Sequence, residues 1–218
     1  MTDKDLIDNL RNGYDRVAEE YAKHFFDELD KKPFDRRVLD DFAKSIRPGG
    51  LACDLGCGPG QIARYLHGKG LNVCGVDISK GMVEIASKLN PGIRFQQGDM
   101  LALDFADSSL AGIAAFYSII HIPSSDIVRA FVEFKRVLEP GGRLLLSFHI
   151  GDEVVRREEL LGEPVSLDFA FLMPVDITRH LVAAGLKIES VEDRDPYPDV
   201  EYPSRRAYIL SSKPGGIC

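Results

Sequence analysis

The sequence predicts an α/β protein: a single doubly wound, mostly parallel seven-stranded sheet with helices on both faces and an antiparallel last strand. Three observations carry this expectation. From Leu51 to Ala184, short apolar runs alternate with segments whose apolar residues recur every three or four positions. One run, Leu110–Tyr117, is almost wholly apolar, as a central strand covered on both faces requires. The last two runs, Leu186–Glu192 and Arg206–Ser212, have no helical segment between them, so they pair as an antiparallel hairpin. A length of 218 residues fits one domain with a substantial core.

The elements follow in order. Leu6, Leu10, Tyr14, Val17, Tyr21 and Phe25 form a helical stripe within a first helix over about 3–26. A second helix runs from Phe34 to Ile46 and stops before Pro48-Gly49-Gly50. Strand Leu51–Asp54 leads into a helix near Gln61–His67, and strand Asn72–Asp77 into a helix that Ser79 opens as N-cap. Strand Ile93–Gln97, a loop rich in Asp and Ser, and Leu110–Tyr117 come next. A helix over Asp126–Leu138 ends at Pro140-Gly141-Gly142, before strand Arg143–His149. Gly151–Phe171 is a variable stretch, followed by a helix near Asp176–Ala184 that Gly185 stops.

Leu51-Ala52-Cys53-Asp54-Leu55-Gly56-Cys57-Gly58-Pro59-Gly60 is the most informative stretch. A buried strand ends in an acid, glycines fall at every second position, and a helix begins, so backbone amides face whatever lies there. A tight turn without ligand is the plain alternative. The spacing departs from the dinucleotide pattern G-x-G-x-x-G, because Gln61 stands where that pattern needs glycine. In open α/β sheets the ligand lies beyond the carboxyl ends of the strands. Asp54, Asp77, Asp99 with Met100, Tyr117 with His121, and His149 all fall at such ends.

The D-x-G-x-G-x-G turn, with an acid at Asp77 and the terminal hairpin, resembles the class I S-adenosylmethionine-dependent methyltransferases. The resemblance extends from about Tyr14 onward and points to the branch acting on small molecules. It implies S-adenosyl-L-methionine as cofactor and S-adenosyl-L-homocysteine as product. It divides the chain into a helical cap (1–47), a cofactor-binding half (48–149), and a substrate-side insert with the terminal hairpin (150–218). Gly56 and Gly58, flanked by Leu55 and Cys57, would approach the methionine part, with Asp54 steering its ammonium. Asp77 would take the ribose, Ile78 the adenine face, Asp99 and Met100 the adenine edge, and the Phe116 carbonyl the ammonium. The segment Tyr14–Tyr21 resembles the family's N-terminal lid, with Tyr21 reaching the cofactor or, equally, packing as core.

An acceptor pocket is expected among Tyr14, Tyr117, His121 and His149. His121 and Tyr117 are the catalytic candidates. An imidazole at His121 can accept a proton near neutral pH; similar I-x-H-x-P segments in relatives with unlike acceptors favour a pocket wall. The chain departs from the family pattern just before the fourth strand, where Ser109-Leu110-Ala111 lacks the usual acid and Asp107 lies earlier. Phe116-Tyr117-Ser118-Ile119 also stands where methyltransferases of exocyclic amines carry an Asn-Pro-Pro-Tyr-like motif.

A net charge of −7 with no basic stripe argues against nucleic acid as partner. No apolar run reaches the roughly 18–20 residues of a membrane span. Cys53, Cys57, Cys74 and Cys218 lack metal-type spacing and read as reduced residues of a cytoplasmic protein, so no metal is expected. The acceptor and the oligomeric state are left open. The alternatives are a cofactor-binding protein that does not methylate, such as an accessory subunit or sensor, and, less favoured, a nicotinamide-dependent oxidoreductase.

Overall fold

Strand β1 (Leu51–Leu55) shows how the chain sorts its side chains. Cys53 and Leu55 pack on one side of the sheet with Phe131 and Phe134, while Ala52, just before them, packs on the other with Phe42, Ile62 and Leu66. In the computed structural model, which describes residues 3–215, this alternation gives three layers. Helices α2 (Pro33–Ser45) and α3 (Gln61–Gly68) cover one face; α5 (Ile127–Val137) and α6 (Pro174–Ala183) cover the other. Met1, Thr2 and residues 216–218, with Cys218 among them, lie outside the described residues.

The remaining strands are β2 (Asn72–Asp77), β3 (Arg94–Gln97), β4 (Leu110–Phe116), β5 (Leu138–His149), β6 (Val154–Leu160), β7 (Glu163–Ala170), β8 (Lys187–Arg194) and β9 (Arg206–Ser212). The seven-stranded sheet has the order β3-β2-β1-β4-β5-β9-β8. All its pairs are parallel except those of β9, which lies antiparallel between β5 and β8. The chain runs outward from β1 through β2 to β3, then returns to the other side of β1 as β4. A crevice therefore opens between β1 and β4 at their carboxyl ends. Every residue of β4 is buried, as its apolar run requires.

Helix α4 (Lys80–Leu89) starts at Ser79, whose Oγ accepts from the Met82 amide at 3.0 Å. Helix α1 (Asp3–Phe25) lies between α4 and β7, with Val17 and Ala18 packed among Met82, Val165 and Leu167. Two features differ from the sequence reading. Strand β5 begins at Leu138, not Arg143, because Gly141 and Gly142 exchange backbone hydrogen bonds with Lys213 at 2.9 and 3.0 Å. The variable stretch holds an antiparallel ribbon, β6–β7, turned by Leu161 and Gly162 with φ of 54° and 86°. Two positive φ values in a two-residue turn match the twist of a hairpin. Leucine at the first of them hides the turn in the sequence.

Phe134 is fully buried between α5 and the sheet. Phe134→Ala should lower unfolding free energy by about 3–5 kcal/mol, read from the midpoint and slope of urea denaturation.

Candidate active site

The glycine turn after β1 is held by β2. The amides of Gly56 and Cys57 both donate to the Val76 carbonyl, at 2.8 and 3.1 Å. The Gly58 amide donates to Asp77 Oδ2 at 2.8 Å, and the Ser79 amide to Asp77 Oδ1 at 2.9 Å. One carboxylate thus ties the turn to the start of α4. Gly56 and Gly58 have φ of 68° and 50°, a region that strongly favours glycine. They serve different ends. A Cβ on Gly56 would collide with the Ser118 side chain. A Cβ on Gly58 would have its nearest neighbours at 3.8 Å (Tyr21 Cε1) and 3.9 Å (Gln61 Oε1), so Gly58 borders open space.

That space is a cavity of about 520 Å³. Tyr21, Gly56, Gly58, Asp77, Ile78, Asp99, Met100 and Phe116 line one part of it, and Tyr14, Tyr117, His121 and His149 another. The structure does not bring the side chains of Asp54, Leu55 and Cys57 to its wall. Leu55 and Cys57 are buried in the interior. Asp54 lies under α3 and accepts the Ala63 amide at 3.0 Å. Asp54 was expected to steer a ligand ammonium; its side chain points instead to the first turn of a helix, where free amides attract a carboxylate. Burial raises the pKa of Asp54 to about 7. Burial also raises that of Asp77, to about 6, against the opposing hydrogen bonds from Ser79 and Gly58.

His121 is engaged at both ring nitrogens. Nδ1 lies 2.9 Å from the Asp168 carbonyl, which can only accept, so Nδ1 carries the proton. Nε2 then accepts from the Tyr14 hydroxyl at 2.7 Å. Burial lowers the His121 pKa to about 4, so the ring is neutral near pH 7. His149 stacks on Phe171 at 5.1 Å and pairs through Nδ1 with Ser204 Oγ at 2.7 Å. Burial, then the charges of Arg206 and Lys32, lower its pKa to about 4. Tyr117 sits beside His149 with a φ of 52°, an uncommon backbone state for a tyrosine, held by its amide donating to Ser147 O at 2.8 Å.

Among the wall residues that the sequence reading missed, two stand out. Gln61 Oε1 and Ser118 Oγ are buried, line the cavity, and have no hydrogen-bond partner among the described residues. Buried polar atoms are rarely left unsatisfied, so these two are exceptions in the wall. Their signals were present: Gln61 interrupts the dinucleotide spacing, and Ser118 directly follows the strand-end tyrosine. Also missed was a buried ion network. Glu201 takes contacts from Lys32, Arg194 and Arg206; Arg194 also meets Asp35 at 2.7 Å, and Lys32 meets Glu28 at 2.6 Å. Three cations balance three acids, and the network fastens the β8–β9 connection to the chain around α2. Among the described residues, no cluster of three or more His, Cys, Asp or Glu is placed to hold a metal ion.

Residues 52–142 match the family described as a methyltransferase domain. Over 112 residues the chain is 30% identical to a demethylmenaquinone methyltransferase of Renibacterium salmoninarum, covering 51% of this chain and 46% of that protein. The chain spans about half the length, or less, of the curated relatives it matches. Among solved structures, a SAM-dependent methyltransferase of Methanosarcina mazei aligns with a TM-score of 0.71 at 17% identity, covering 79% of this chain and 96% of that one. The [4+2]-cyclase SpnF aligns with a TM-score of 0.63 at 24% identity, covering 83% and 81%. The fold is that of the class I methyltransferases.

Asp54 titrates near pH 7 in the folded chain, against about 3.9 in an unfolded one. Between those values the native state holds more protons, so this group's contribution to stability falls as pH rises. Asp54→Asn keeps an oxygen for the Ala63 amide and removes the titration. Its stability relative to the parent should climb steadily from about pH 4 to about pH 7 in urea titrations; a constant offset would exclude Asp54 as the titrating group.

Proposed function

We propose, from a chain that carries a methyltransferase domain on the class I fold, that it transfers a methyl group from S-adenosyl-L-methionine to a small-molecule nucleophile. The observation that carries this reading is the pair of unsatisfied buried oxygens at the glycine turn, Gln61 Oε1 beside Gly58 and Ser118 Oγ beside Gly56. With the buried Asp77 carboxylate they fit a ligand that brings an ammonium and vicinal hydroxyls. In this reading Gly56, Gly58, Gln61, Phe116 and Ser118 hold the methionine part. Asp77 takes the ribose hydroxyls, and Ile78, Asp99 and Met100 the adenine. Tyr21, against Gly58, closes that end.

When bound, the cofactor supplies a methyl carbon made electrophilic by its sulfonium charge. The chain's own residues then align and exclude water. Tyr14, Tyr117, His121 and His149 wall the acceptor. Neutral His121, with its lone pair committed to Tyr14, acts as wall and not as general base. The cap (1–47) and the insert (150–218) enclose the acceptor, and 48–149 hold the cofactor. The net charge of −7 supports a small molecule over nucleic acid, and three free buried cysteines support a cytoplasmic setting. No described helix is long and apolar enough to cross a membrane. That a [4+2]-cyclase shares this fold favours a second reading, in which this chain binds the cofactor without methylating.

Thermal melting with S-adenosylmethionine, S-adenosylhomocysteine, NAD and NADP tests the proposal. A ligand at 100 times its Kd adds about 2.7 kcal/mol to the folded state. Stabilisation is expected from the two sulfur compounds alone; a shift with the nicotinamides alone would overturn the reading. Asp77→Ala should weaken S-adenosylhomocysteine binding roughly 10- to 100-fold, as loss of hydrogen bonds to a charged group implies. His121→Ala should leave that affinity intact. If it also abolished turnover, the wall assignment would be wrong.

A further inference from the structure

Two adjacent residues in the middle of α1 are tied to different elements, and of the two only Tyr14 lines the cavity. The Tyr14 hydroxyl meets His121 beside the acceptor space. Asp15, next in the chain, points the other way: its Oδ1 accepts from Ser79 Oγ at 2.6 Å and from the Gly81 amide at 2.8 Å. Ser79 is the residue whose amide holds Asp77 Oδ1 at 2.9 Å. A chain of two hydrogen bonds therefore runs from the carboxylate that lines the cavity, through Ser79, to the helix that covers it. Gly81 makes the contact close. A Cβ there would lie 3.1 Å from both Asp15 Cα and Asp15 O, and 3.3 Å from Ala18 Cβ. The backbone of α1 thus rests directly on the first turn of α4, where amides attract a carboxylate.

We propose that Asp15 is a positioning residue, fastening α1 to Ser79 so that filling the cofactor end at Asp77 seats Tyr14 over the acceptor end. The inference rests on the functional reading above and extends it. A ligand whose hydroxyls donate to Asp77 fixes that carboxylate, and with it Ser79 and the oxygen on which α1 hangs. Repulsion from Asp15 is among the influences that raise the Asp77 pKa, so the two acids are also coupled electrostatically across Ser79. The coupling is reciprocal: a helix seated by cofactor must also tighten cofactor. Asp15 is exposed and outside the core clusters, so the fold does not require it. The consequence is an order of events, with cofactor first and acceptor into a pocket completed afterwards.

The test uses the full chain with S-adenosylhomocysteine, reading affinity by calorimetry and backbone protection of residues 6–25 by hydrogen exchange. In the parent, S-adenosylhomocysteine should slow exchange along α1. Asp15→Ala should stay folded without ligand and melt only a few degrees below the parent, as the loss of one or two surface hydrogen bonds implies. It should bind S-adenosylhomocysteine roughly three- to tenfold more weakly, the size of one or two net hydrogen bonds, and lose the ligand-induced protection of α1. Asp15→Asn, which keeps the accepting oxygen, should recover most of both. Gly81→Val, a wedge from the other side of the same contact, should reproduce Asp15→Ala. Unchanged affinity and unchanged protection in Asp15→Ala would overturn the proposal while leaving the functional reading intact. A parent that binds no S-adenosylhomocysteine would overturn both.

Discussion

The Asp77 carboxylate is the constraint on which the site depends. It stands at the end of β2, beside the crevice that the return of the chain to β4 opens, and it is buried. A buried carboxylate is costly unless it collects hydrogen bonds. Asp77 collects the amides of Gly58 and Ser79. Those two bonds shape the glycine turn and set the start of α4. Ser79 then passes the constraint to Asp15 and so to α1. Three elements far apart in sequence are registered to one side chain, and the same side chain borders the cavity.

Much of this was legible in the sequence. The alternation of apolar runs gave the layers, because a strand buried on both faces has no other way to be written. Strand ends located the polar residues, since parallel strands all deliver their carboxyl ends to one edge. Asp77, Asp99, Tyr117, His121 and His149 all line the cavity for that reason. Asp54 lies against α3 and off the cavity wall because a strand-end acid has two sinks for its charge, a ligand in front or the free amides of the helix that follows. Spacing alone does not separate them.

The ribbon β6–β7 escaped because its residues come in doublets, Val154-Val155, Arg156-Arg157 and Glu158-Glu159, which blur a period of two. The ion network escaped for a different reason. Lys32, Asp35, Arg194, Glu201 and Arg206 approach only when the β8–β9 connection folds against α2, and no local pattern records a contact across some 160 positions. Asp15 is hidden likewise: on the helical stripe it is one more exposed acid, and only the approach of Gly81 gives it a partner.

The balance of charge along the cavity decides what kind of catalyst this site can be. A general base contributes about 10²–10⁴-fold when its pKa lies near the operating pH. His121, neutral, with a pKa near 4 and both nitrogens engaged, is poorly placed to supply it. Positioning two reactants contributes up to roughly 7–11 kcal/mol without any proton transfer. The chain is built for the second. In the proposed reading its buried acid sits where a cationic, hydroxyl-bearing cofactor would bind, neutral rings together with Lys32, Glu201 and Arg206 surround the acceptor space, and the middle of α1 is tied to His121 through Tyr14 and to Ser79 through Asp15. If the proposed reaction is the one this site performs, the sulfonium donor already carries its activation, alignment in a dry pocket would be the larger contribution, and α1 would be the element on which that alignment turns.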